Sequence, residues 1–282
     1  MAWHLLHFEE EQIILIADAY AGSRPLPVSG NEGMNSESSV AYSVITATLN
    51  EAENILELIE AITTQVGPMG RTFEIVVVDD NSPDGTATLV RNYSAANPHV
   101  KLVSRASAQG IGSAYLSGIL HSTGRVICTM DADFSHPPDM LPQLLEAADQ
   151  NFLVLGSRFL RRGDFDTFWY RWLPTRFANL WHGLVLRSGV RDHTNGYMAV
   201  KRESLKRLLD AGSALGVHPF DRILYGLALV ALAKRTEQNV VELPAKYVFR
   251  TRGETKIKFA RGVRLFFFEW ADSLLLALRL SE

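Results

Sequence analysis

Apolar residues along this chain fall into short β-branched runs separated by stretches at helical spacing. Tyr42–Thr48 (YSVITAT) is a continuous run, as a strand buried on both faces requires. Asn50 stands at a cap position with Glu53 three residues on, ahead of Ile55, Leu58, Ile59 and Ile62; this predicts a capping box and a helix. Glu74–Val78 predicts a second buried strand, and Ser82-Pro83 predicts a helix start with proline in the first turn. Val100–Val103, Val126–Met130 and Leu153–Gly156 read as further strands, with helices predicted over Ile111–His121 and Pro138–Ala148. This alternation predicts the α/β class, with an open, mostly parallel sheet and helices on both faces.

The second half is less regular. Trp169–Leu186, Ser204–Leu209 and Phe220–Ala233 read as helices, and Val240–Leu243 and Tyr247–Arg250 as strands flanking Pro244. Residues 256–280 read as one long amphipathic helix. Phe259, Val263, Phe266, Phe267, Trp270, Leu274 and Leu278 recur at helical spacing, with Arg261 and Arg264 beside them. Such a stripe either lies in a membrane interface or packs on the core or a partner. Residues 1–39, rich in Gly, Ser, Pro and Asn from Gly22 on, read as a flexible extension before a domain over 40–258, with the amphipathic helix at 259–282.

No run has the roughly 20 apolar residues that a membrane span needs: Glu269, Asp272 and Arg279 interrupt the most apolar stretch. The start lacks the basic residues and cleavage site of a secretory leader. The single cysteine, Cys128, excludes an internal disulfide framework and a cysteine-rich zinc site and fits a reducing, cytoplasmic setting. The net charge of −3 hides an asymmetry. Residues 1–156 carry 6 Lys/Arg against 19 Asp/Glu, a balance of −13, whereas residues 157–282 carry 22 against 12, a balance of +10. Either the two sets pair within the fold or the second half meets an anionic partner.

The polar motifs follow the strands, where open α/β sheets bind ligands. In Met130-Asp131-Ala132-Asp133, the carboxylates at i and i+2 of an extended segment face one point. Two hard oxygen ligands beside substrate phosphates suit Mg²⁺ or Mn²⁺. Asp79 and Asp80 end the second strand in the acid-rich run Asp79–Thr86. Asp80 there suits hydrogen bonds from a base or ribose; the plainer reading of the run is helix capping by Asn81 or Ser82 with Asp84 at the dipole, and both can hold at once. Arg105 precedes Gly110-Ile111-Gly112-Ser113-Ala114, a glycine turn that either receives phosphate or is a plain turn. It fails the dinucleotide pattern, whose last glycine is Tyr115 here. Arginines 158, 161, 162, 191, 202, 250 and 252, with lysines 201, 256 and 258, supply forks and charges suited to phosphate, or a solvated surface.

Taken in order, these segments resemble the polyprenyl- (dolichol-) phosphate mannose synthase branch of the inverting, GT-A-fold family 2 glycosyltransferases. The matching stretches are Thr48–Asn54, Asp79–Thr86, Gly110–Ala114, Met130–Pro137, Gly156–Phe159, Asp192–Tyr197 and Arg250–Lys256, within residues 42–258. The chain departs from the branch at Ala47, Leu49, Met198, Asp221 and Ile223. The resemblance implies a nucleotide site of Thr48, Asn50, Glu51, Asp79, Asp80, Arg105, Gly110 and Asp131, and a metal held by Asp131 and Asp133. It also implies an acceptor-phosphate site of Ser157, Arg158, Thr194 and Arg250, with Asp133, Arg158, Arg250 and Lys256 serving the transfer. The implied reaction moves mannose from GDP-mannose to a polyprenyl (dolichyl) monophosphate at the cytoplasmic face of a membrane. Attachment there is peripheral, direct or through a membrane-anchoring partner, with no role for nucleic acid. A family 2 transferase using UDP-glucose or another UDP-sugar is the alternative. A non-catalytic nucleotide-sugar-binding protein and a nicotinamide-dependent oxidoreductase are weaker ones.

Overall fold

A computed structural model describes residues 40–160, 164–165, 169–222, 224–248, 270–271 and 273–280. The expectations for residues 1–39, Arg250, Lys256 and most of 259–282 fall outside them.

The described residues form nine strands: β1 (Tyr42–Thr48), β2 (Phe73–Asp79), β3 (Val100–Ser104), β4 (Val126–Asp131), β5 (Leu153–Ser157), β6 (Asp164–Phe165), β7 (Met198–Lys201), β8 (Val240–Pro244) and β9 (Lys246–Tyr247). The helices are α1 (Ile55–Val66), α2 (Thr86–Ala96), α3 (Ile111–His121), α4 (Leu141–Gln150), α5 (Trp169–Leu186), α6 (Arg202–Ala214) and α7 (Tyr225–Arg235). Seven strands form one sheet in the order β3-β2-β1-β4-β7-β5-β8, and β6 pairs with β9. All neighbours in the large sheet run parallel except β7, which is antiparallel to both β4 and β5.

The strands are covered on both faces. One face buries Val44, Ile75, Val77, Cys128 and Met130 under Leu58, Ile59 and Ile62 of α1 and Leu141, Leu144 and Leu145 of α4. On the other, α3 approaches so closely that a Cβ at Gly118 would overlap the Ile45 side chain. That closeness explains why a small residue sits mid-helix where glycine otherwise costs about 1 kcal/mol.

Several boundaries differ from the sequence pattern. Asn50 does not cap α1; it has φ +56° and its N–H donates to Ser82 Oγ at 2.9 Å. The cap position belongs to Asn54, whose side-chain amide donates to Glu51 Oε2 at 2.8 Å. Ser82-Pro83 likewise lies in a loop: Gly85 at φ +90° precedes α2, whose first residue is Thr86. Asp84 fastens that entry, accepting from Thr86 N at 3.0 Å and Ala52 N at 2.9 Å. Phe220 lies in a 3-10 turn, Pro219–Asp221, ahead of α7. At the C-terminal side, residues 270–271 and 273–280 are helical. This segment packs on α5: Trp270 stacks on Trp181 at 4.6 Å, and Trp181 Nε1–H donates to Ser273 Oγ at 3.1 Å.

Candidate active site

The chain steps outward from β1 to β2 to β3, then returns to place β4 on the other side of β1. Open α/β sheets bind ligands at this crossover, beyond the carboxyl ends of the strands. In register, Thr48 lies opposite Asp79, Ala47 opposite Asp131 and Asp79 opposite Ser104. Because β7 runs backwards, the loop before it, Arg191–Tyr197, reaches the same edge, and β5 delivers Ser157 and Arg158 there.

At the end of β4, the Asp131 side chain is 41% exposed. Its Oδ1 accepts from Tyr115 Oη at 3.2 Å, while Oδ2 has Ser135 Oγ at the limiting distance of 3.5 Å. Phe134 at φ +62° turns the chain so that Ser135 N donates to Asp133 Oδ1 at 3.0 Å. Among the described residues no group of three or more His, Cys, Asp and Glu side chains converges. Two hard carboxylates, one of them 41% exposed, fit Mg²⁺ or Mn²⁺ whose remaining positions are filled by phosphate and water oxygens.

Behind Asp131, its N–H donates to His136 Nδ1 at 2.9 Å. His136 Nε2 therefore carries the proton and donates to Asn195 Oδ1 at 2.6 Å, and Asn195 Nδ2 donates to Gly156 O at 2.8 Å. The His136 ring stacks on Tyr197 at 4.8 Å. One imidazole thus joins the ends of β4, β5 and β7.

On the β1–β3 side, Arg105 grips Asp80 through two bonds, Nε to Oδ1 at 2.5 Å and Nη2 to Oδ2 at 2.7 Å, and also donates to Ser113 Oγ of α3. Forked pairs of this kind fix both side chains. Thr48 and Asp79 face inward instead. Asp79 Oδ1 accepts from Thr48 Oγ1 at 3.0 Å and Ser82 Oγ at 2.5 Å, and both residues are buried. Glu51 is buried as well, its N–H on Thr86 Oγ1 at 3.0 Å. Gly110, at φ +99°, precedes α3.

On the β5–β7 side, Arg158 is 8% exposed and turned onto Asp192, Nε to Oδ2 and Nη2 to Oδ1, each at 2.7 Å. Its Nη2 also donates to Thr194 Oγ1 at 2.6 Å. Burial pushes the Asp192 carboxyl up, but Arg158 and the backbone N–H groups outweigh it and hold it below the usual range. Asn179 of α5 supports the same loop: its Oδ1 accepts from His193 N at 2.6 Å and its Nδ2 donates to Thr194 Oγ1 at 3.0 Å. Ser157 Oγ is buried with no hydrogen-bond partner among the described residues.

The sequence model of glycosyl transferase family 2 matches residues 43–209. The chain belongs to this family. Among family 2 relatives, a dolichol-phosphate mannosyltransferase of Pyrococcus furiosus is 33% identical over 220 residues, 77% of this chain and 59% of that protein. A polyprenol monophosphomannose synthase of Mycolicibacterium smegmatis is 35% identical over 221 residues, 76% of this chain and 80% of that protein. The fold matches solved transferases of GT-A type. Glucosyl-3-phosphoglycerate synthase of Mycobacterium tuberculosis, with Mn²⁺, uridine diphosphate and glucosyl-3-phosphoglycerate, superposes with TM-score 0.56 at 19% identity, covering 84% of this chain and 80% of that one. A mannosyltransferase of Pyrobaculum calidifontis with GDP-Man and Mn²⁺ superposes with TM-score 0.54 at 21% identity, covering 96% and 85%.

In this family 2 chain the sheet edge gathers twelve of the residues singled out from sequence: Thr48, Asn50, Glu51, Asp79, Asp80, Arg105, Gly110, Asp131, Asp133, Ser157, Arg158 and Thr194. Arg250 and Lys256 lie outside the described residues. Sequence reasoning gave no role to Tyr115, His136, Asn179, Asp192 or Asn195. The last two and His136 sit inside matched motifs, whereas Tyr115 is one residue past the glycine turn and Asn179 is read only as helix. Gly112 proves to serve packing: a Cβ there would overlap the carbonyl oxygens of Phe220 and Arg222.

Proposed function

We propose that this chain transfers mannose from GDP-mannose to the phosphate of a polyprenyl monophosphate, with inversion at the sugar. The observation that carries this reading is the Asp131/Asp133 pair at the sheet crossover of a chain 35% identical to a polyprenol monophosphomannose synthase. The acceptor phosphate is already ionised near pH 7, so the attacking oxygen needs no positioned base. The demand is instead to hold like-charged groups together and to stabilise the leaving diphosphate.

Asp131 and Asp133 would hold the Mg²⁺ or Mn²⁺ ion, which when bound offsets the charge on the departing nucleoside diphosphate. Asp80, held by Arg105, accepts hydrogen bonds from the nucleoside, and Thr48, Asn50, Glu51 and Asp79 shape the wall behind it. The Gly110 turn lets the chain approach the phosphates. Arg158 with Asp192 fixes Thr194 toward the acceptor phosphate near Ser157, and Arg250 and Lys256 add countercharge. An acceptor phosphate oxygen forms its bond to the anomeric carbon as the bond to the diphosphate oxygen breaks, and GDP leaves with the electron pair. One in-line displacement inverts the centre.

A lipid acceptor places the protein at a membrane surface, and α5 supports that position. Trp172, Leu173, Phe177, Leu180 and Leu184 are exposed along it. From Trp169 to Arg191 the sequence has arginines 171, 176, 187 and 191 and no acidic residue. Apolar and cationic groups on one helix suit an anionic bilayer interface. Among the described residues no helix is long and apolar enough to cross a membrane.

Calorimetric titration with GDP and UDP, each with and without Mn²⁺, tests the donor. Metal-dependent binding of GDP over UDP is the expected result. A preference for UDP moves the assignment to a UDP-sugar transferase, and binding of neither overturns the catalytic reading.

A further inference from the structure

The α3 start has a use that the proposed reaction does not yet employ. Gly112 lets the first turn of α3 press against the backbone of Phe220 and Arg222. Residues two apart on a helix point to nearly opposite sides. Ser113 accordingly meets Arg105, while Tyr115 runs inward beneath the end of β4. The Tyr115 side chain is fully buried, its ring 5.1 Å from that of Tyr225. Tyr225 is in turn tied to Thr129 Oγ1 at 3.1 Å and Gly196 O at 3.0 Å. The Tyr115 hydroxyl has one hydrogen and two acceptors, Met130 O at 3.0 Å and Asp131 Oδ1 at 3.2 Å.

We infer that Tyr115 is a positioning residue for Asp131: its hydroxyl holds Oδ1 and, with Ser135 Oγ and His136 Nε2 beside Oδ2, fixes the plane in which the carboxylate meets the cation. The inference rests on the metal reading of Asp131. The terminal torsion of an aspartate is broad and nearly two-fold, so an unheld carboxylate rotates freely between its two oxygens. Tyr115 Oη, at 3.2 Å, is nearer to the carboxylate than Ser135 Oγ at 3.5 Å or His136 Nε2 at 3.7 Å, so it does most to limit that freedom. Outer partners of metal ligands commonly govern affinity by about 10–100-fold. The glycine turn thereby couples two halves of the site through one helix: Ser113 steadies the Asp80–Arg105 pair, and Tyr115 steadies the carboxylate opposite.

The test is Mn²⁺ binding to the full chain without nucleotide, read by calorimetry or the free-ion paramagnetic resonance signal. Tyr115→Phe removes one oxygen and keeps the ring. It should weaken Mn²⁺ binding roughly tenfold, leave metal-free GDP binding unchanged and retain the melting temperature within a few degrees. Tyr225→Phe, whose hydroxyl neighbours that of Tyr115 but makes no bond to Asp131, should weaken Mn²⁺ binding by clearly less. Asp131→Asn separates the two ideas. If it loses Mn²⁺ while Tyr115→Phe does not, the positioning role is overturned and the metal site stands. If Asp131→Asn binds Mn²⁺ normally, the metal site itself is overturned and the positioning role with it. Equal loss in both tyrosine variants reassigns Tyr115 to packing. Should Tyr115→Phe fail to fold, the Cζ resonance of ¹³C-tyrosine in the wild type decides: a Tyr115 shift on adding Mg²⁺ is expected, and no shift overturns the inference.

Discussion

His182 and His193 lie with ring centroids 6.0 Å apart between α5 and the loop before β7. Both His182 nitrogens and Nδ1 of His193 lack hydrogen-bond partners among the described residues, while His193 Nε2 meets Ser188 Oγ at 2.7 Å. Burial lowers each imidazole to about 4, so both are neutral near pH 7. The unfolded chain, with histidines near their ordinary value of about 6.5, takes up these protons first as the pH falls. Stability from this pair is therefore intact above that value and is lost on going down toward pH 4, by a few kcal/mol in total (~2–5). Denaturant unfolding at pH 7 and pH 4.5 should show the midpoint falling, and His182→Phe should flatten the change. Equal midpoints in the wild type would refute it. Only part of this residue-level detail was legible in sequence. Asp131 and Asp133 announce themselves because two acids follow an apolar run. Thr48, Asp79 and Arg158 carry the same polar signature, yet Thr48 and Asp79 spend their hydrogen bonds on each other and on Ser82, and Arg158 on Asp192 and Thr194. Sequence gives a side chain's chemistry but not its direction.

Among the elements, β1, β2, β4 and β5 follow from apolar runs buried along nearly their whole length, whereas β3, at the sheet edge, is only partly buried. β7 escaped notice because its four residues, Met198–Lys201, are too few to show a period. Its buried Met198 packs against Gly226 of α7. The helix starts were misplaced wherever side chains capped from a distance: Asp84 and Ser82 hold backbone N–H groups of Ala52 and Asn50, about thirty residues back in the chain. The glycines make a sharp test at this level. Alanine in place of a helical glycine ordinarily adds up to about 1 kcal/mol. At Gly112 the new methyl group would meet backbone carbonyls that cannot swing away, so Gly112→Ala should destabilise by about 1–3 kcal/mol instead. Gly67, with nothing within 4 Å of a Cβ, should tolerate alanine. A melting temperature for Gly112→Ala at or above the wild-type value would contradict this packing.

For the whole molecule, the proposed cation site lies in the first half, with its balance of −13, and the proposed membrane face on α5 lies in the second, with its balance of +10. Flotation with vesicles containing anionic lipid should carry the wild-type protein upward at low salt. Leu180→Glu with Leu184→Glu should leave it at the bottom while GDP binding persists. A wild-type protein indifferent to vesicles would remove α5 from the membrane. The reversed strand has a consequence for synthesis. β4 and β5 are made in succession but never pair, because β7 belongs between them. Until Lys201 has emerged from the ribosome, the β4 and β5 edges that β7 covers in the finished sheet have no partner strand. At about 5–20 residues per second this interval lasts several seconds. Bare strand edges invite pairing with other chains, so β7, the reversed strand whose preceding loop reaches the candidate site, is also the strand whose arrival closes two aggregation-prone edges.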